Sequence, residues 1–296
     1  MSARQIFTPG IRHMLVAVLS FSTMNLLVKL MPAIPPMELV FFRCLVSLLI
    51  CLYLLHKAGV HWLGENRLML ALRGICGTMA LFLFFITIKK IPFAGAVTLA
   101  YTSPVFSAML GVLFLKEKLK PVQWVYISIS LLGVAVLKGF DPRIPMLYFF
   151  LGIGSAMFSA LAYMLVRRLK GREHPVVVVL HFQLVGTLAG AVGTAVQFQM
   201  PQGWDWIMLL GMGLLTQLGQ LQLTKALQIE QLGIATSLNF LGVLYAVFFG
   251  VLFFQEHLTP GNILGMILVA AGVVANVVTG KRAEVIATTN VVKPYN

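Results

Sequence analysis

Apolar stretches of about 20 residues recur along this chain from residue 12 to residue 279. Twenty residues of α-helix rise about 30 Å, the thickness of a bilayer's hydrocarbon core. Inside hydrocarbon a backbone must satisfy its own hydrogen bonds, so a chain of this kind has few folds open to it. Composition agrees, with 59% hydrophobic residues, 10% charged and a mean hydropathy of +0.92, where soluble domains carry about 25% charged residues. The expected class is an all-α integral membrane protein.

Ten transmembrane helices are predicted, at 12–31, 37–56, 68–88, 92–115, 121–138, 146–168, 175–197, 205–227, 231–254 and 260–279. Proline punctuates them: Pro32, Pro35 and Pro36 follow the first span, and Pro121, Pro145, Pro175 and Pro260 open later ones. A first-turn proline loses nothing, because that N–H has no intrahelical partner. Pro104 falls mid-span and is expected to kink the fourth helix. The basic N-terminal flank with Arg4 and Arg12 resembles a signal peptide, but no small-residue cleavage site follows, so the first span is expected to be retained.

The net charge of +13 suggests nucleic acid at first sight. The basic residues sit instead in short connections between spans, the placement that lipid head groups and the positive-inside rule produce. With the N-terminus cytoplasmic, 16 Lys and Arg fall inside and 5 outside, Arg43 within a span completing the 22. Both termini are therefore expected in the cytoplasm, in a bacterial inner membrane. Cys44, Cys51 and Cys76 lie within spans at no ligand-like spacing, so neither a disulfide framework nor a metal site is expected.

A shift of 139 residues lays Ala96–Val134 onto Ala235–Val273 without gaps. Gly-Val-Leu-Phe-x-x-Glu-x-Leu-x-Pro occurs in both copies, at Gly111–Pro121 and Gly250–Pro260. The unit is five spans, an odd number, so the second copy enters the membrane the other way up. The organisation expected is a cytoplasmic N-terminus (1–11), a first five-helix repeat (12–138), a second, inverted one (146–279) and a disordered cytoplasmic tail (280–296). Inverted repeats place substrate sites near the midplane of many transporters.

Charged residues within spans need a reason, since a charge at the bilayer centre costs about 2.5–3.5 kcal/mol on insertion scales. Lys29 and Glu38 flank the first turn at similar depth, suited to an ion pair or to interfacial snorkelling. With Pro104 they are candidates for gating or coupling. Arg43, two turns into the second span, either satisfies its donors within the protein or meets an anion. Arg73, five residues into the third span, reads as snorkelling toward the inner face. Asn25 lies one turn before Lys29 on the same face, open to a helix–helix hydrogen bond or to substrate. In the eighth span Gln217, Gln220 and Thr224 fall at i, i+3 and i+7, a polar stripe that favours cavity lining over helix gluing. Tyr101 and Ser103 precede Pro104, and Asn239 lies in the matching segment of the second repeat. Broken backbone at that depth must face protein or water. The substrate-binding candidates are thus Asn25, Lys29, Arg43, Tyr101, Ser103, Tyr163, Gln217, Gln220 and Asn239. His181 reads as hydrogen-bonded structure, and Glu117 and Glu256 as interfacial caps.

Ile91-Pro92-Phe93-Ala94 through Lys116-Glu117-Lys118-Leu119 resembles the end of a repeat in the EamA family of the drug/metabolite transporter superfamily. Asn25 to Lys29, Phe41-Phe42-Arg43 and the run Gln220 to Leu227 resemble it too, in order and spacing over about 270 residues. The resemblance implies two inverted five-helix repeats around a central cavity, and export or exchange of metabolites. Arg73-Gly74 is similar to the branch that contains S-adenosylmethionine carriers.

No phosphate-binding Gly-x-x-x-x-Gly-Lys-Ser/Thr loop occurs, and the longest connection, Lys57–Arg67, has 11 residues. A gradient rather than ATP must therefore drive any transport. No Asp or Glu lies at mid-depth, so proton antiport, exchange and facilitated diffusion all stay open. The expected function is secondary transport of a small polar or amphipathic metabolite (amino-acid-like, nucleoside-like or S-adenosylmethionine-like). The alternatives are a lipid scramblase or a regulatory membrane subunit. A membrane enzyme would need clustered catalytic groups, which the spans lack, and no cofactor is expected. The partners expected are a small metabolite and the bilayer, with no nucleic acid, for a monomer or homodimer.

Overall fold

A computed structural model describes residues 8–100, 102–117, 120–140 and 143–291. Among them all regular structure is helical. The first repeat holds α1 (Pro9–Leu30), α2 (Pro36–Ala58), α3 (Arg67–Lys90), α4 (Phe93–Ala100), α5 (Ser103–Leu115) and α6 (Pro121–Phe140). The second holds α7 (Met146–Arg168), α8 (Pro175–Val196), α9 (Asp205–Ile229), α10 (Leu232–Ser237), α11 (Leu241–Phe254) and α12 (Pro260–Val291). Among the described residues eight spans are long and apolar enough to cross a bilayer, and α6 and α12 add shorter apolar stretches, Pro121–Gly133 and Pro260–Asn276. Helices α4 and α5 together make the fourth span. The ninth is α10, a 3₁₀ turn at Leu238–Phe240, and α11.

The helix starts follow local chemistry. Pro9 opens α1 behind Thr8, whose Oγ1 accepts the Ile11 N–H at 3.4 Å. His174 caps α8 through Nδ1, 3.3 Å from the Val176 N–H, with Pro175 in the first turn. Helix α2 ends at Gly59 in the left-handed conformation (φ +63°), which costs a glycine little.

Two elements differ from expectation. Pro104 does not kink a continuous helix. The fourth span breaks after Ala100 and restarts at Ser103, which puts Pro104 in a first turn where no hydrogen bond is forfeited. The final helix continues to Val291, where a disordered tail from 280 is expected. Residues 281–291 contain neither proline nor glycine, so nothing stops the helix as it leaves the membrane.

The packing is that of an inverted pair. Helix α1 packs on α9, and its counterpart α7 packs on α3; α2 pairs with α8, and α6 with α12. Helix α4, the first half of the fourth span, lies against α11, the second half of the ninth, while α10 lies against α5. Only antiparallel segments cross-match their halves in this way. Gly133 and Gly272, related by the 139-residue offset, let α6 and α12 touch: a Cβ on Gly272 would lie 2.6 Å from the Tyr126 carbonyl oxygen. Beside that contact, Gln123 Nε2 donates to Asn276 Oδ1 at 2.9 Å.

Two apolar cores lie at different depths. One gathers Met14, Val18, Leu55, Leu70, Leu165 and Leu227 toward the face that holds the chain termini. The other gathers Val28, Leu39, Ile88, Phe93 and Met212 toward the opposite face. Along α1 the residues between them are Phe21 and Asn25; along α3, Arg73 and Gly77. Those residues line a cavity.

Candidate functional site

The cavity sits between the two cores and draws on both repeats: Asn25 from α1, Arg43 from α2, Arg73 from α3, Ser103 from α5, Tyr163 from α7, Gln220 from α9 and Asn239 from the 3₁₀ turn. Its volume of about 100 Å³ is several times what one ordered water needs, and its wall is polar enough to hold one. Both helix breaks meet here, Ala100 and Ser103 from the fourth span facing Asn239 from the ninth. Discontinuous helices meeting at mid-membrane form the substrate sites of many carriers.

Arg43 is 2% exposed. Its guanidinium lies over two rings, 5.8 Å from the Phe85 centroid and 5.7 Å from that of Phe182. The offset that relates the repeats pairs Arg43 with Phe182, so this contact joins equivalent positions of α2 and α8. Its Nε is buried with no acceptor among the described residues. Arg73, 1% exposed, sits 4.5 Å from the same Phe182 ring and donates from Nη2 to Gln220 Oε1 at 3.1 Å.

Arg73 corrects the snorkelling expectation. Its side chain runs along α3 toward Gly77, one turn deeper, instead of back to the inner face. A Cβ on Gly77 would lie 2.2 Å from Arg73 Nη1 and 2.8 Å from Phe182 Cδ2. The missing side chain at Gly77 therefore makes the berth. Sequence reasoning left Arg73 out of the site; the signal that could have found it is the glycine one turn on, Arg-x-x-x-Gly, which opens a path into the bundle.

The other candidates divide. Asn25, Arg43, Ser103, Tyr163, Gln220 and Asn239 line the cavity together. Asn25 Oδ1 and Asn239 Nδ2 are buried there without a hydrogen-bond partner among the described residues. Gln217 does not join them. Its Oε1 accepts from Ser47 Oγ at 2.6 Å and from Cys51 Sγ at 3.2 Å, and Ser47 Oγ in turn accepts from Gln183 Nε2 at 2.6 Å. That cluster holds α2, α8 and α9 together. The polar stripe of α9 thus splits, Gln217 bonding helices and Gln220 facing the cavity. Tyr101 lies outside the described residues. His181 Nδ1 sits 3.0 Å from the Val177 carbonyl oxygen of its own helix.

The Lys29–Glu38 ion pair does not form. Lys29 Nζ donates to the carbonyls of Ile88 and Ile91, each at 2.8 Å, and lies 6.0 Å from the Phe254 ring centroid. It caps the exposed carbonyl end of α3, which a cation favours. Glu38, 0% exposed, accepts the Gln199 N–H at 2.9 Å. Both residues tie helix ends together on the face opposite the termini, away from the cavity.

The paired glutamates of the repeat motif cap helices across the repeat boundary. Glu256, just past α11, accepts the N–H groups of Phe93 and Ala94, the latter at 3.2 Å, at the start of α4. Glu117, just past α5, accepts the Leu232 N–H at 3.3 Å at the start of α10, and its carboxylate lies 3.5 Å from Arg167 Nε. Leu232 is the offset partner of Phe93. In both motifs the residue before the glutamate is left-handed, Lys116 at φ +55° and Gln255 at φ +50°, and the glutamate N–H donates to the motif glycine's carbonyl at 3.0 Å. Gly111 and Gly250 make room: a Cβ on either would meet its glutamate's Oε2 at 2.9 and 2.8 Å. Each repeat thus clamps the broken helix of the other, one clamp at each membrane face.

Two inverted repeats, two broken helices and a polar cavity between them define a multi-pass membrane protein of the transporter class. The chain belongs to the EamA-like transporter family, whose model matches residues 8–138 and 146–278. It is a transporter rather than an enzyme, with a small molecule as cargo. The pseudopaline exporter CntI of Pseudomonas aeruginosa is 32% identical over 269 residues, covering 90% of this chain and 95% of the relative. Human solute carrier family 35 member G1 is 26% identical, covering 88% of this chain and 77% of the relative. An uncharacterized transporter of Helicobacter pylori is 29% identical, covering 88% and 91%. One crystal structure superposes with a TM-score of 0.75 at 17% identity, over 93% of this chain and 98% of its own, a likeness of fold.

Proposed function

We propose that the protein is a secondary carrier that exports a small polar metabolite across a bacterial inner membrane by alternating access, with both termini in the cytoplasm. The reading is carried by the crossed glutamate clamps on either side of one cavity. Releasing the Glu256 clamp frees the start of α4 and opens the cavity toward the face opposite the termini, while the Glu117 clamp keeps the other side shut. The reverse exchange opens the cytoplasmic side. Each hydrogen bond from a backbone N–H to a carboxylate contributes about 1.5–3 kcal/mol, the scale of the gap between interconverting conformers. Export is supported by the similarity to the pseudopaline exporter of P. aeruginosa, and cytoplasmic termini by the 16-to-5 distribution of basic residues. The absence of a nucleotide-binding motif from the sequence leaves a solute gradient as the driving force.

The test is flux. Proteoliposomes containing the pure protein should show saturable, temperature-dependent movement of at least one member of a metabolite panel. No flux of any member, from protein that stays folded, overturns the reading. Scrambling of labelled lipid in its place identifies a lipid-handling protein.

A further inference from the structure

Two guanidiniums share the cavity wall, and among the described residues nothing acidic answers them. All nine Asp and Glu residues lie at or beyond the ends of the apolar stretches. Among the described residues none pairs with Arg43 or Arg73; Glu117, Glu173 and Glu256 cap helix starts instead, and Glu38 accepts a loop N–H from Gln199. Arg43 donates no hydrogen bond to any described residue, and both arginines keep a buried Nε without an acceptor. They stand on one Phe182 ring and lie within electrostatic reach of each other, so they repel.

Such an arrangement is costly to hold in a bilayer, and packing does not require it. Aromatic rings cover guanidinium faces and leave the in-plane N–H edges free, the edges that take a carboxylate bidentately. Two cations without an anion make a cavity two negative charges short of neutrality. Resting on the carrier reading, we propose that the cargo is a small organic dicarboxylate, one carboxylate held by Arg43 and the other by Arg73. Gln220 positions the Arg73 fork. Asn25 and Asn239, with their unpartnered amide atoms, take the polar groups between the two carboxylates. A sulfonium or amine cargo with net positive charge would add a third cation to the same wall, so the S-adenosylmethionine-like expectation gives way to an anionic one.

The experiment is equilibrium binding to the intact purified protein, read as ligand-dependent thermal stabilisation. The probes are succinate and glutarate (dicarboxylates), butyrate (one carboxylate), glycerol phosphate (a phosphate dianion) and putrescine (a dication). Succinate or glutarate should stabilise saturably, with butyrate at least about tenfold weaker and putrescine inert. Arg43→Gln and Arg73→Gln should each weaken dicarboxylate binding by about tenfold or more. Arg73→Lys should recover only part, because an ammonium lacks the planar fork. If the glutamine variants fail to fold, the ranking of probes on the unaltered protein decides alone. The proposal is overturned if butyrate binds as well as succinate, if putrescine is preferred, or if only the phosphate ester binds. Flux of some other solute without dicarboxylate binding would sink the charge assignment and leave the carrier intact. Dicarboxylate binding without any flux would do the opposite.

Discussion

Glu256→Gln perturbs one clamp by a single acceptor. In the structure the two carboxylate oxygens divide the work, Oε1 taking the Phe93 N–H and Oε2 the Ala94 N–H. A glutamine at 256 keeps one oxygen and turns an NH₂ toward the second N–H, so one charge-assisted bond is lost and the other weakens. Such a bond contributes about 1.5–3 kcal/mol, which shifts a two-state population about ten- to a hundredfold. The shift is toward the state open on the face opposite the termini. A reporter cysteine, Ser103→Cys in a background lacking Cys44, Cys51 and Cys76, reads it out. Its labelling by a membrane-impermeant maleimide from that face should accelerate at least tenfold in Glu256→Gln. Glu117→Gln should slow it, because that change loosens the opposite clamp. Equal rates in the two variants, or a shift of the same sign in both, would refute the idea that these glutamates hold opposite gates.

Other expectations follow from single contacts. Gly77→Ala places a Cβ 2.2 Å from Arg73 Nη1 and 2.8 Å from Phe182 Cδ2; substrate binding should fall at least about tenfold as the guanidinium leaves Gln220, and the overpacking cost of about 1–3 kcal/mol should be only partly offset by the helix-propensity gain of about 0.8–1 kcal/mol. Gln217→Leu should lower thermal stability by the ~0.6–1.7 kcal/mol typical of interhelical hydrogen bonds in membranes and leave ligand affinity near wild type, since Gln217 faces Ser47 and Cys51. Gln220→Ala should do the reverse, depressing affinity or transport with a melting temperature close to wild type. Gly272→Ala should destabilise the α6–α12 contact by about 1–3 kcal/mol, visible as a lower melting temperature in detergent.

Span number and most span limits were legible because the hydrophobic effect writes them as length, and the inverted pairing because a unit with an odd number of spans recurs at an offset of 139 residues. The Gly-Val-Leu-Phe-x-x-Glu repeat also marked where the two clamps fall, though not that each reaches the other repeat. That reach depends on how α4 and α10 cross, which no local pattern encodes. The fate of single polar residues was harder to read. Gln217 and Gln220 share one helical stripe, yet a difference of three residues in depth puts one against Ser47 and the other in the cavity. Arg73 lies close to an interface in sequence, where snorkelling costs little, and only the space left by Gly77 turns it inward. Lys29 and Glu38 are near in sequence but each meets a backbone group supplied by a distant loop or helix end.

Trans-stimulation in proteoliposomes tests the carrier account most directly. A single cavity that faces each side in turn must carry labelled solute inward faster when unlabelled solute waits inside. With succinate, or whichever probe the stabilisation series selects, preloading should raise initial uptake severalfold, and Glu117→Gln or Glu256→Gln should blunt the effect. Uptake that rises linearly with concentration and ignores the preload would contradict alternating access and point to an open pathway.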